Sequence, residues 1–240
     1  GYLAAFDIWS HRKVRRFADL KLHTKLMLIG TTLLIVLGVI IFLGVEWANP
    51  KTLGPLPMWD KVMAAIFQSV TPRTAGIATV DYGQLHPITL FVSIILMFIG
   101  AGPNSTGGGV KISTVMVAIL ASCTLFNNRS DVEVFGRRIS MVTVLKANGI
   151  IFLSLLLVLL ATCYLAWDEP FDFIRLLFEV TSAFGTVGLT TGITPDLSES
   201  SKWVLMLVMF TGRVGVMTVI GTWALRTSPT KPIGYAEENV

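Results

Sequence analysis

Uncharged apolar blocks dominate the chain. Residues 26–45 (LMLIGTTLLIVLGVIIFLGV) carry no charge over twenty positions, and residues 147–167 carry none over twenty-one. Residues 203–225 hold a single charge, Arg213. A helix needs about 20 mostly apolar residues to cross about 30 Å of hydrocarbon, so each block predicts a membrane-spanning helix. A fourth apolar stretch, 88–126, is too long for one simple helix and is interrupted by GAGPNSTGGGVK at 100–111. Two further blocks, 58–70 and 171–183, have thirteen residues each and are too short to span. They read as half-helices that dip into the membrane and return as extended chain. Non-helical backbone at that depth persists only where protein buries it or where it lines water, so the turns after these blocks are expected to face a polar path.

The blocks repeat. A shift of 112 residues aligns Thr74-Ala75-Gly76-Ile77 with Thr186-Val187-Gly188-Leu189. The same shift aligns Met97-Phe98-Ile99-Gly100 with Met209-Phe210-Thr211-Gly212. One gap-free offset serves both motifs, which marks an internal duplication. Each unit runs in the same order: long apolar helix, short apolar segment, Thr-x-Gly turn, second membrane helix. The expected organisation is 1–25, the end of a preceding helix plus a basic cytoplasmic loop; 26–126, one repeat with a broken second helix; 127–146, a cytoplasmic linker; 147–226, the next repeat; and 227–240, a cytoplasmic tail.

Composition agrees with that pattern. Of 240 residues, 53% are hydrophobic and only 14% charged, against about 25% in soluble domains. The mean hydropathy is +0.70. Disordered, collagen-like and disulfide-framed secreted classes are excluded. A basic run precedes the first block, but that block is too long for the core of a cleavable signal peptide. The net charge of +4 is a topology signal, because Lys and Arg flank spans. Six lie in 10–25, four in 127–146 and two in the tail (Arg226, Lys231), which puts those segments in the cytoplasm. The outer connections hold five: Lys51, Lys61, Arg73, Arg175 and Lys202. Trp47, Trp167 and Trp203 mark the outer interface, and Trp9 and Trp223 the inner one. Cys123 and Cys163 fall at opposite depths and predict no disulfide. His11, His23 and His86 show no metal spacing, and no acidic residue lies inside a long span, so a carboxylate proton relay is poorly supported.

The Thr-x-Gly turns suggest cation chemistry. A dehydrated K⁺ needs several oxygen ligands, which backbone carbonyls of an extended strand supply without charged side chains. Gly76 and Gly188 permit left-handed backbone. The C-terminal ends of the half-helices aim their negative dipole ends at a cation. The stretch 100–111 holds five glycines and a proline, so the helix breaks there; a gate in a wet cavity and a cytoplasmic loop are the two readings. Arg213, buried in its span, needs protein or water around it; it is read as a positive barrier below the turns, a tie on the loop carbonyls, or a structural hub. Lys111 is expected to snorkel to the cytoplasm. Arg73 is expected to bond behind its turn rather than line a cation path. Glu179 and Asp60 are expected to stabilise or charge the outer vestibule.

FQSVTPRTAGIATVDYG (67–83), GAGPNSTGGGVKIST (100–114) and SAFGTVGLTTGITPDL (182–197) resemble the K⁺-translocating membrane subunits of the Ktr/Trk/HKT superfamily, with the nearest likeness on the bacterial KtrB side. The resemblance covers essentially the whole chain. It implies an all-α polytopic membrane protein of the cell membrane, built from helix–pore loop–helix repeats in a pseudo-fourfold, K⁺-channel-like architecture. Members carry four repeats and this chain carries two, so the expectation is the C-terminal half, repeats three and four. Filter ligands implied by position are the carbonyls of Thr74, Ala75, Gly76, Ile77, Thr186, Val187, Gly188 and Leu189. The gate implied below them comprises Gly100, Gly102, Pro103, Asn104, Ser105, Thr106, Gly107, Gly108, Gly109 and Lys111, with Arg213 beside it. The resemblance further implies K⁺ uptake without an organic cofactor or transition metal and Na⁺ as a coupling or activating ion. Its implied partners are membrane lipid, a second membrane subunit in a homodimer, and a KtrA-like cytosolic nucleotide-binding ring. A secondary carrier with Gly-broken helices and a non-transporting assembly subunit are the alternatives. An intramembrane enzyme has no supporting motif.

Overall fold

The computed structural model describes residues 2–10, 20–103, 105, 107–126 and 132–224. Expectations placed on Arg12, Lys13, Arg15, Arg16, Asn104, Thr106, Arg129, the Trp223 side chain and the tail 227–240 lie outside the described residues. The elements in chain order are α1 (Tyr2–Ser10), α2 (Leu22–Glu46), α3 (Met58–Val70), α4 (Pro87–Phe98), α5 (Ile112–Phe126), β1 (Val132–Val134), β2 (Arg137–Ile139), α6 (Met141–Asp168), α7 (Phe173–Gly185), α8 (Glu199–Val214) and α9 (Val216–Ala224).

Among the described residues, two helices are long and apolar enough to cross a membrane, α2 and α6. Both remain mostly unburied within the chain, and both expose large side chains such as Leu33, Val36 and Ile40 on α2 and Phe152, Leu155 and Leu160 on α6. In water such continuous apolar surface would be a liability, whereas hydrocarbon solvates it. α3 and α7 are the half-helices. α3 occupies the expected block, while α7 starts and ends two residues later than expected because Asp172 sits at its N-cap and Thr186 turns left-handed at its C-cap. α4 and α5 are the two halves of the broken helix. α8 and α9 replace the single span expected over 203–225. Gly215, at φ +95°, ends α8, its N–H still bonded to the Thr211 carbonyl at 2.9 Å. The linker is not featureless either: β1 and β2 form an antiparallel hairpin in the register Val132↔Ile139 and Val134↔Arg137, turned by left-handed Phe135 and Gly136.

The core forms around α7, which packs against α4, α6 and α8 and buries every residue from Phe178 to Gly185. Tyr82 meets Phe178 at 5.3 Å between ring centroids, and Phe98 meets Phe184 at 5.6 Å. The same kind of cap appears in both repeats. Glu46 at the end of α2 accepts from His86 N (2.9 Å) and Thr89 Oγ1 (2.6 Å) at the start of α4. At the end of α6, Glu169 accepts from Ser198 N (2.7 Å) and Asp168 from Ser201 Oγ (3.3 Å) at the start of α8. His86 and Ser198, and Thr89 and Ser201, are related by the 112-residue shift. Each cap gives a partner to an otherwise orphaned helix N-terminus and fixes where the second helix enters. Neither Cys123 nor Cys163 forms a disulfide among the described residues.

Candidate functional site

The two Thr-x-Gly turns leave the C-terminal ends of α3 and α7. Thr74 (φ +73°) and Gly76 (φ +69°) are left-handed, and so are Thr186 (φ +51°) and Gly188 (φ +93°). Ala75 and Val187, between them, are not. Backbone that alternates hand can turn successive carbonyls toward one side. For threonine this conformation carries strain, held here by the surrounding structure. The two turns also touch: the α-carbon of Gly76 lies so close to the Val187 carbonyl that no Cβ fits between them. Around Gly188 the space is open.

Side chains behind the turns hold them in place. Thr71 Oγ1 donates to the Ile77 carbonyl at 2.6 Å and accepts from Ile77 N at 3.1 Å. The Gln68 amide lies between Thr79 and Tyr82. With its oxygen toward the strand it accepts from Thr79 N (3.2 Å) and Val80 N (3.1 Å), while its nitrogen donates to the Tyr82 hydroxyl (2.7 Å). In the second repeat Glu179 accepts from Thr191 N (2.8 Å), Thr190 Oγ1 (2.8 Å), Thr191 Oγ1 (3.0 Å) and Thr194 Oγ1 (2.7 Å). Thr79 and Thr191, and Tyr82 and Thr194, are repeat-related; the helix residues that hold them are offset by one position. Glu179 is therefore a buried brace, not an open vestibule charge; Asp60, on the first turn of α3, is exposed. Arg73 reaches back to the Thr31 carbonyl on α2 at 3.4 Å. Thr71, Gln68 and the threonines 190, 191 and 194 were not singled out from sequence. The signal was present in the hydroxyl-dense run TTGIT, which needs an acceptor.

The break in the second helix folds directly beneath the turns. Ile99 and Val110 pair as a parallel bridge at its base, with Gly100 N on the Val110 carbonyl at 2.9 Å. From there the loop passes Gly102 and Pro103, where Ser105 Oγ donates to the Gly102 carbonyl at 2.6 Å. It then reaches the turns: Gly108 N donates to Thr186 Oγ1 at 2.9 Å, and a Cβ on Gly107 would come within 2.8 Å of the Thr74 methyl. Gly109 is left-handed. Lys111 does not snorkel. Its ammonium folds back to donate to the Gly107 carbonyl. Arg213 is exposed on α8, close enough to Lys111 for the two positive charges to repel. Among the described residues Arg213 makes no hydrogen bond or ion pair, so neither a tie on the loop nor a structural hub is seen there. No cluster of His, Cys, Asp and Glu suited to a metal occurs among the described residues.

Carbonyl rows at the ends of half-helices, with a glycine loop below, can strip and hold a monovalent cation. The sequence pattern of TrkH, described as a cation transport protein, matches residues 4–229. The chain belongs to the TrkH family. It is 41% identical over 240 residues to the Ktr system potassium uptake protein B of Vibrio alginolyticus, covering 100% of this chain and 52% of that protein. It is 39% identical over 224 residues to the protein of the same name from Bacillus subtilis, covering 93% of this chain and 50% of the relative. Among solved structures, the potassium transporter TrkH from Vibrio parahaemolyticus matches with a TM-score of 0.73 at 20% identity, over 95% of this chain and 49% of that one. That likeness shows the fold, a helical membrane architecture with pore loops. The chain spans about half the length of the curated relatives it matches. These relatives are transport proteins, and the TrkH family places the chain in a membrane.

Proposed function

We propose that this chain supplies two pore-lining repeats of a potassium-uptake protein. The observation that carries the reading is the recurrence of left-handed Thr and Gly at 74 and 76 and at 186 and 188, each pair at the end of a half-helix. The carbonyls of Thr74, Ala75, Gly76 and Ile77 and of Thr186, Val187, Gly188 and Leu189 are the proposed ion ligands. The loop from Gly100 to Lys111 is the proposed gate. Its hydrogen bonds to Thr186 and within itself are few, so it opens at low cost compared with a packed helix. Arg213 acts from beside the loop as a positive barrier that slows a cation. K⁺ is the cargo, as in the names of the relatives, and Na⁺ is a coupling or activating ion. The basic segments face the cytoplasm and the pore loops enter from outside. A second copy of the membrane subunit and a cytosolic nucleotide-binding ring complete the assembly. Rb⁺ uptake by cells lacking their own K⁺ importers, expressing the full-length protein with and without Gly188→Asp, tests this. The substitution is expected to abolish uptake while the protein still reaches the membrane. Equal flux from both would remove 186–189 from the ion path and bring the assembly-subunit reading forward.

A further inference from the structure

The two braces behind the turns share a plan but differ in charge. Gln68 holds its strand with a neutral amide, and Glu179 holds its own with a carboxylate. Glu179 is 4% exposed. Its four partners are hydroxyls and one backbone N–H, all on 190–194 immediately after the turn. No Lys, Arg or His pairs with it among the described residues. A neutral amide would serve as a brace, as the first repeat demonstrates, so bracing alone does not call for a charge. A buried carboxylate without a cationic partner is costly unless a cation sits nearby for part of the cycle. The cavity of about 530 Å³ beside it is lined by Glu179 together with Thr186, Val187, Gly188 and Leu189, the proposed ion ligands themselves.

We propose that Glu179 is a positioning and affinity-determining residue of the ion path: it holds the outer rim of the second turn, and its charge tightens cation binding there. This rests on the filter reading above. Thr190, Thr191 and Thr194 fix where the chain leaves the turn, and through it the spacing of the carbonyl row. The charge acts separately, through space. A unit charge about 10 Å from a bound cation, at an effective dielectric of about 20, alters its binding about ten- to twentyfold.

The two roles separate by substitution. Glu179→Gln keeps the brace, since an amide oxygen accepts from Thr191 N and the hydroxyls can turn to accept from the amide nitrogen. Rb⁺ uptake by the full-length protein is expected to show KM raised about tenfold, with the maximal rate and the preference for K⁺ over Na⁺ kept. Glu179→Ala removes brace and charge and is expected to lose the preference as well. The reciprocal Gln68→Glu meets four donors, Thr79 N, Thr79 Oγ1, Val80 N and Tyr82 Oη, and is expected to lower KM severalfold. Membrane abundance is measured for each. An unchanged KM in Glu179→Gln would overturn the proposal, whatever Gln68→Glu does, and so would a fall in abundance as the only effect of all three. Gly188→Asp run alongside keeps the readings apart. If it abolishes flux while Glu179→Gln leaves KM untouched, the filter reading stands and the role of Glu179 falls. If it leaves flux intact, the filter reading itself falls.

Discussion

Replacing Glu46 by Gln should destabilise the protein more than replacing Asp168 by Asn, although both carboxylates end a first helix and cap a second. Glu46 is completely buried, and each of its oxygens is doubly used. One accepts from His86 N and Thr89 Oγ1, the other from Asn49 Nδ2 (2.7 Å) and Thr52 Oγ1 (2.7 Å). A Gln amide keeps one pair as it stands. Its NH₂ must then face either the His86 N–H or the Asn49 amide. The neighbouring hydroxyl can rotate to accept, but a backbone N–H cannot, and Asn49 is held by the Gln84 carbonyl at 3.1 Å. One buried donor therefore opposes another, at a cost of about 1–3 kcal/mol. Glu46→Ala abandons all four donors and costs about 3–5 kcal/mol. Asp168 is exposed, and water replaces the serine hydroxyls it accepts from. Thermal unfolding of the purified full-length protein in detergent reads the difference. The midpoint should fall by about 5 °C for Glu46→Gln, further for Glu46→Ala, and least for Asp168→Asn. A loss for Asp168→Asn equal to that for Glu46→Gln would refute burial as the source of the cap's strength.

Other substitutions probe the turns and the loop. Gly76→Ala places a methyl on the Val187 carbonyl and adds left-handed strain of about 1–2 kcal/mol, so uptake should fall and Na⁺ should compete better; normal flux and selectivity would contradict the contact between the turns. Thr186→Ser keeps the acceptor for Gly108 N and should preserve regulated uptake, whereas Thr186→Ala frees the loop and should raise resting Rb⁺ flux; equal resting flux in both would deny that the hydroxyl latches the loop. Lys111→Met removes the ammonium from the Gly107 carbonyl and is likewise expected to raise resting flux.

Much of the architecture was legible because the membrane imposes it. The lengths of α2 and α6, the short α3 and the break between α4 and α5 follow from hydropathy and glycine placement. The 112-residue shift paired Gly76 with Gly188, and both are left-handed, whereas the left-handed backbone of Thr74 and Thr186 was not expected. Other features escaped for physical reasons. A lone glycine such as Gly215 is compatible with an unbroken membrane helix, so the division between α8 and α9 has no separate signal. The hairpin over 132–139 is too short for alternation to stand out. From sequence, Glu179 is expected either to stabilise or to charge the outer vestibule, and Lys111 to reach water, because a charge in a membrane protein ordinarily seeks it. The structure instead supplies four donors to the first and a carbonyl to the second. Which acceptor lies nearest depends on how distant segments pack, and spacing along one chain does not contain it.

The carbonyl rows can be tested by locating the ion itself. A structure of the full-length protein in Rb⁺, with anomalous scattering recorded at the rubidium edge, would place the cation without reliance on flux. The filter assignment predicts Rb⁺ peaks encircled by carbonyls that include those of residues 74–77 and 186–189, within about 3 Å of them. Rb⁺ bound elsewhere in the membrane, with nothing between those two turns, would contradict it.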